Sequence, residues 1–213
     1  MLARLTSPGI YRAVLAMIVV VTASNILVQY PVDFDLGPVH LGDILTWGAF
    51  TYPFAFLVSD LTNRHHGPQL ARRVVMAGFA VAVVISVYLA TPRIAIASGT
   101  AFLTAQLLDV TVFNWLRRQS WWRAPIFGTL AGSVVDTLIF FSIAFSAAFA
   151  FVGPEDGFAL EAAPLLGLFA VETPRWLSWA LGDLTVKLLI AVFALIPYRL
   201  IAARWTQPVA EVA

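Results

Sequence analysis

The 213-residue chain has no cysteine, a single lysine, three histidines, and charged side chains at only 12% of its positions. Without cysteine there are no disulfides, thiolate metal sites, iron–sulfur clusters or thiol nucleophiles. The single lysine, Lys187, stands between Val186 and Leu188, so no phosphate-binding loop ending in Gly-Lys-Ser/Thr exists and the chain cannot hydrolyse ATP by itself. His40, His65 and His66 fall in or near loops, no His-Glu-x-x-His occurs, and no metal site is expected. A Ser–His pair inside an apolar run is missing too, which argues against an intramembrane serine protease. Neither enzyme function nor a cofactor is expected. The net charge of +1, with arginines confined to short loops, gives no nucleic-acid footprint.

Apolar residues take the place of the missing charge. They make up 60% of the chain, whose mean hydropathy is +0.85. A soluble domain carries about 25% charged residues, so this is an all-α, multi-pass membrane protein. Apolar runs at 10–30, 43–61, 74–91, 95–116, 125–151 and 176–201 give six expected spans in one domain, residues 1–213. A basic start before the first run would suit a secretory leader cleaved near Val21-Thr22-Ala23. The length of the run, and its continuation through Asn25 and Gln29, favour an uncleaved first helix. Tyr52-Pro53 predicts a kink or broken turn in the second run. The third run, rich in Ala and Val, reads as scaffold, and Gly128-x-x-x-Gly132 in the fifth reads as a close approach to an internal neighbour.

Arginine placement sets the orientation. Arg4, Arg12, Arg64, Arg72, Arg73, Arg117, Arg118, Arg123, Arg199 and Arg204 collect on one side, against Arg93 and Arg175 on the other. Both termini are therefore expected in the cytoplasm. Trp115, Trp121, Trp122 and Trp205 flank that boundary, and Trp176 and Trp179 flank the outer one. The outer loop 152–175 is acidic, and its apolar patch 165–171 is too short to span.

Ionisable groups inside the runs mark the candidate site, because an Asp at mid-bilayer costs at least about 2.5–3.5 kcal/mol and is rarely left facing lipid. At about 1.5 Å per residue, Asp136 and Lys187 lie near the bilayer centre and Asp109 slightly towards the cytoplasm. Asp183 precedes Lys187 by four residues, the favourable order for a pair on one helix face. Two readings stay open: Lys187 neutralises Asp183, or it faces Asp109 or Asp136 across the bundle and leaves one acid for substrate or a proton. Gln106, Asp109 and Phe113 share a face of the fourth helix; Ser133, Asp136 and Phe140 share one of the fifth. Each face offers an acid, a neutral hydrogen-bonding group and a ring, as a flat, nitrogen-rich ligand requires. Asp60 and Asn63 either gate the cytoplasmic end or cap the second helix.

Three stretches resemble a known family. Thr51-Tyr52-Pro53-Phe54 through Asp60-Leu61-Thr62-Asn63, with Gly67 and Ala71-Arg72, is similar to the signature of the queuosine precursor transporter family, also called the vitamin uptake transporter family. Ala105 to Phe113 resembles its fourth helix, and Arg123, Thr129, Asp136-Thr137 and Phe140-Phe141 its fifth. Lys187 with Pro197 and Tyr198 is similar to the last. Arg64-His65-His66 departs from the acidic and aromatic residues that members commonly carry there. The resemblance implies inner-membrane import of 7-cyano-7-deazaguanine and 7-aminomethyl-7-deazaguanine, a small-molecule 7-deazaguanine substrate, in a lipid bilayer. On this reading Gln106, Asp109, Phe113, Asp136, Phe140 and Lys187 bind substrate, while Asp60, Asn63, Arg123 and Asp183 gate or support. The alternative is a substrate-binding subunit of an ATP-driven vitamin uptake system; a non-transporting scaffold would have little reason to carry mid-depth charges. A homodimer is left open.

Overall fold

The computed structural model describes residues 8–204, and Arg4 and Trp205 lie outside them. Helix α1 (Pro8–Leu27) leads into a small hairpin of β1 (Asp35–Leu36) and β2 (Val39–His40), which turns at Gly37 with φ +61°. A 3-10 turn at Leu41–Asp43 precedes α2 (Trp47–Thr51) and α3 (Phe54–His66). The second expected span is therefore two short helices. Pro53, which has no amide hydrogen to donate, sits at the break where the sequence places it.

The basic stretch 64–73, expected as a loop, is helical on both sides of Gly67. That glycine alone turns the chain, with φ +89°, and Pro68 opens α4 (Pro68–Leu89) at the position where its missing donor costs nothing. The Thr91 hydroxyl accepts from Ile94 N to cap α5 (Pro92–Leu116). Helix α6 (Arg123–Phe145) ends six residues before its expected limit of 151, and a 3-10 segment, Ala147–Val152, follows. The outer loop folds into α7 (Gly157–Leu160), capped by Asp156, and a hairpin of β3 (Ala162–Pro164) and β4 (Glu172–Pro174). The apolar patch forms the tip of that hairpin, with Leu168, Phe169 and Val171 exposed. The last run divides at Ala194 into α8 (Arg175–Phe193) and α9 (Leu195–Ala203), close to Pro197.

Five helical stretches among the described residues are long and apolar enough to cross a membrane: Gly9–Leu27, Pro68–Leu89, Pro92–Leu116, Arg123–Phe145 and Arg175–Ala203, not the six expected. The second expected span drops out because its two pieces are each too short. The outward faces carry Leu15, Val19, Val87, Leu138, Leu189 and Val192 exposed, which suits an apolar surrounding. Inside, Met17 and Val21 of α1, Ala55 of α3, Val74 and Val75 of α4, and Phe102 and Val110 of α5 form the main core.

Helices α5 and α6 run side by side in the most extensive pairing among the described residues. Gly128 and Gly132 make it possible: a Cβ at Gly128 would meet Asp109 Oδ1 at 2.6 Å, and one at Gly132 would meet the Phe56 ring at 2.6 Å and the Ala105 carbonyl oxygen at 3.1 Å. The glycine motif thus faces this chain's own neighbours, as expected. Arg93, at the start of α5 and 2% exposed, ties the outer end together. It donates to the carbonyls of Ile143 (2.8 Å), Ser146 (2.6 Å), Gly153 (3.3 Å) and Pro154 (3.2 Å), satisfying the exposed C-terminus of α6. At the opposite end, Arg64 donates to the Arg117 carbonyl (2.6 Å) and Arg117 donates to the Arg64 carbonyl (3.2 Å), a reciprocal clasp between the ends of α3 and α5.

Candidate functional site

A cavity of about 650 Å³ opens at the end of the molecule that holds the two hairpins. Its volume is in the range of small-molecule sites. Its walls come from the second halves of α1, α4 and α6, from α2, and from the first halves of α5 and α8. More helices contribute than the last three, on which the mid-depth charges of the sequence lie.

Near the mouth the lining is aromatic: Phe140, Phe141 and Phe145 of α6, Phe158 of α7 and Trp179 of α8. Phe145 and Trp179 meet edge to face at 5.3 Å, and Phe140 and Phe141 at 5.0 Å. The Trp179 indole donates to the Asp43 carbonyl at 2.7 Å, and the Arg175 guanidinium lies 4.5 Å from the centre of the Phe158 ring. Asn25 and Gln29 also border the cavity; their side chains donate back along α1 to the carbonyls of Val21 and Asn25.

The charged group of the cavity is built from α6, α8 and the break between α2 and α3. Lys187 of α8 is 3% exposed and donates to Asp136 Oδ2 at 2.6 Å, to Thr137 Oγ1 at 3.3 Å, and to Asp183. Thr137 donates to Asp183 at 2.9 Å, and the Tyr52 hydroxyl donates to Asp136 Oδ1 at 2.8 Å. The Tyr52 ring also lies 5.2 Å from the Lys187 ammonium. Both readings of Lys187 left open by the sequence are realised at once, because the ammonium bridges its own helix partner and the acid opposite. A buried charge is tolerated when it is paired and hydrogen-bonded, and every member of this group is. Two carboxylates against one ammonium leave it anionic when all three ionise.

Asp109 and Gln106 are elsewhere. Both are fully buried and neither borders the cavity. Asp109 Oδ2 accepts from Ser59 at 3.1 Å, and Asp60 Oδ2 accepts from Thr129 at 3.5 Å. The two acids lie close enough for their charges to act on each other. Asp60 Oδ1, Asp109 Oδ1, Asn63 Oδ1, Ser133 Oγ and both amide atoms of Gln106 have no hydrogen-bond partner among the described residues. Asp60 and Asn63 do not cap a helix: α3 continues to His66, and Asn63 donates across to the Val110 carbonyl at 3.0 Å. Phe56, fully buried and edge-on to Tyr52 at 6.0 Å, sits between the two polar groups along α3.

Phe113 is buried too and leaves the cavity for the clasped end, where it meets Tyr198 at 6.4 Å and Arg64 at 5.2 Å. Arg123 is exposed at the start of α6, donates to Gln119 at 3.2 Å and lies over Trp122. Of the residues the sequence singled out for substrate, the cavity thus gathers Asp136, Phe140 and Lys187 with Asp183. Tyr52, and Phe141, Phe145, Phe158 and Trp179 of the mouth, were not singled out for substrate. Tyr52 stands next to Pro53, whose effect on the helix was the more visible signal. His, Asp and Glu side chains form no metal-holding group among the described residues.

The family described as "Putative vitamin uptake transporter" matches residues 46–91 and 86–201. The queuosine precursor transporter of Escherichia coli (strain K12) is 37% identical over 201 aligned positions, covering 84% of this chain and 80% of that protein. A probable queuosine precursor transporter of Haemophilus influenzae (strain ATCC 51907 / DSM 11121 / KW20 / Rd) is 39% identical over 155 positions, 60% of this chain and 66% of that one. No solved structure matches. With that extent of agreement, the chain belongs to the vitamin uptake transporter family.

Proposed function

We propose that the protein imports queuosine precursors, 7-cyano-7-deazaguanine and 7-aminomethyl-7-deazaguanine, across the inner membrane as a secondary transporter. One observation carries the reading: a cavity with the Asp136–Lys187–Asp183 group at its depth and aromatic rings at its mouth. A carboxylate accepts paired hydrogen bonds from the N–H and NH₂ edge of a guanine-type base, and rings offer a surface for its flat face. The negative balance of the group also suits the cationic aminomethyl substituent. Asp136 would accept from the base, Lys187 and Asp183 would hold its carboxylate in place, and Phe140 would stack.

In this reading the whole chain forms one domain. Helices α2 and α3 cross the bilayer together as a broken sixth span, both termini lie in the cytoplasm, and the cavity faces outward. A helix broken at mid-depth suits the reading, since non-helical backbone within a membrane is tolerated where it lines a cavity.

The test is uptake of labelled 7-cyano-7-deazaguanine into liposomes containing only the purified chain. Uptake without an ATP-hydrolysing partner is the expected result. Phe140→Ala and Asp136→Asn are expected to weaken binding by about tenfold or more, about 1.4 kcal/mol or above. Uptake that appears only with added ATP-dependent partners would overturn the secondary-transport reading, and unchanged binding in both variants would overturn the site.

A further inference from the structure

The buried group around Asp60 and Asp109 is not part of the cavity, and its chemistry differs. Asp136 and Asp183 share an ammonium. Among the described residues, Asp60 (2% exposed) and Asp109 (0%) have no lysine, arginine or histidine within ion-pair distance, and each keeps one oxygen without a hydrogen-bond partner. Two neighbouring carboxylates shut away from water cannot both remain ionised at tolerable cost; such pairs hold a proton between them.

We propose that Asp60 and Asp109 form a second site, separate from the substrate cavity, that binds a proton and couples its passage to transport. The proposal rests on the secondary-transport reading above. An independent observation supports a ligand here. The Gln106 amide, fully buried, has both its donor and its acceptor unused, and so has the fully buried Ser133 hydroxyl. Gln106 lies one turn from Asp109 on α5. Ser133 lies one turn from Asp136 on α6, and one turn from Thr129, which donates to Asp60. These unused groups therefore stand between the cavity acid and the buried acids, where a water or a moving proton would use them.

The surroundings favour a proton over a metal cation. Asp109 Oδ1 is pressed against the α6 backbone at Gly128, which leaves no room for a coordination shell on that side. From α6 the pair meets Gly128 and the Thr129 hydroxyl, and from α3 the Ser59 hydroxyl. Towards the clasped end Arg64 acts on Asp60, as Asp60 does on Tyr198 of α9; Arg64 itself is occupied by Tyr198 and the Arg117 carbonyl. Release towards that end would follow separation of α3 from α5, which brings Arg64 free to replace the proton as the partner of Asp60.

Two measurements test this. In proteoliposomes, an inward proton gradient is expected to drive accumulation by about tenfold per pH unit for each proton carried, and an inward sodium gradient is expected to have no effect. Asp60→Asn and Asp109→Asn are expected to lose that acceleration while still exchanging labelled for unlabelled 7-cyano-7-deazaguanine. The second measurement needs no substrate: the infrared absorption of a protonated carboxylic acid in the lipid-embedded protein at neutral pH. The band is expected in the unmutated protein and is expected to vanish in the double variant Asp60→Asn/Asp109→Asn. Absence of that band, its persistence in the double variant, or accumulation driven by sodium would overturn the proposal. Failure of 7-cyano-7-deazaguanine exchange in the unmutated protein, with the infrared result as expected, would overturn the substrate assignment instead.

Discussion

Lys187 is the residue on which the cavity most depends, because it is the shared partner of two carboxylates. Removing one member of a buried ion pair costs about 3–5 kcal/mol, since the charge left behind stays desolvated. Lys187→Met is expected to lower thermal stability by that order, and Asp136→Asn added to it is expected to restore part of the loss. Melting of the detergent-purified variants checks both. Arg93 acts through geometry more than charge, as its four acceptors are all backbone carbonyls. Lysine cannot reproduce that fork. Arg93→Lys is expected to cost about 1.5–3 kcal/mol and to speed amide exchange over residues 146–154. The sequence told these residues apart unevenly. Asp136, Asp183 and Lys187 were legible from depth and four-residue spacing. Asp109 was equally legible as a buried acid, yet spacing along one helix cannot tell which neighbour it meets, and it accepts from Ser59 of α3. Arg93 looked like an outer loop charge, because nothing local announces that the end of α6 needs donors.

At the level of elements, α5 and α6 are locked by the absence of two side chains. A Cβ at Gly128 would strike Asp109, and one at Gly132 the Phe56 ring and the Ala105 carbonyl. Overpacking of this kind costs about 1–3 kcal/mol. Gly132→Ala is expected to fall in that range and to shift the near-ultraviolet circular dichroism as Phe56 and Tyr52 move. The β1–β2 hairpin carries a pH dependence. The hydrogen bond that the protonated His40 ring donates to Asp35 (2.7 Å) raises the His40 pKa, with the nearby charges of Asp35, Asp43 and Asp33 adding to it. A raised value means that this contribution is complete below the ordinary imidazole pKa of about 6.5 and fades as pH climbs through the folded value. Amide protection over residues 33–45, taken relative to intrinsic exchange at the same pH, is therefore expected to be higher in mild acid than in mild base, and His40→Ala is expected to abolish the difference. Five spans were legible as apolar runs. The second was misjudged at both ends, because Asp60, Asn63 and Arg64 read as the close of a helix, whereas Asp60 and Asn63 are buried within one that runs to His66.

For the whole molecule, the cavity opens at the hairpin end, and among the described residues the buried acids, Phe56 and the clasp lie towards the other. The lack of cysteine makes this directly measurable. Asn25→Cys and Phe140→Cys are expected to react with a membrane-impermeant thiol reagent applied from the cavity side, whereas Asn63→Cys is expected to be silent from both sides. Equal labelling of all three would contradict a one-sided cavity. None of this sidedness was readable beforehand: arginine counts orient the helices, but which end of a bundle stands open depends on how they lean together.

Arg64 and Arg117 each hold the other's carbonyl oxygen, so neither can let go alone without stranding a guanidinium and a peptide group together. A latch of that kind releases all at once. Turnover would then be paced by how long the protein dwells with it fastened, and Arg64→Lys, which exchanges a two-armed grip for a single point of contact, would shorten the wait while leaving the affinity of the empty cavity untouched.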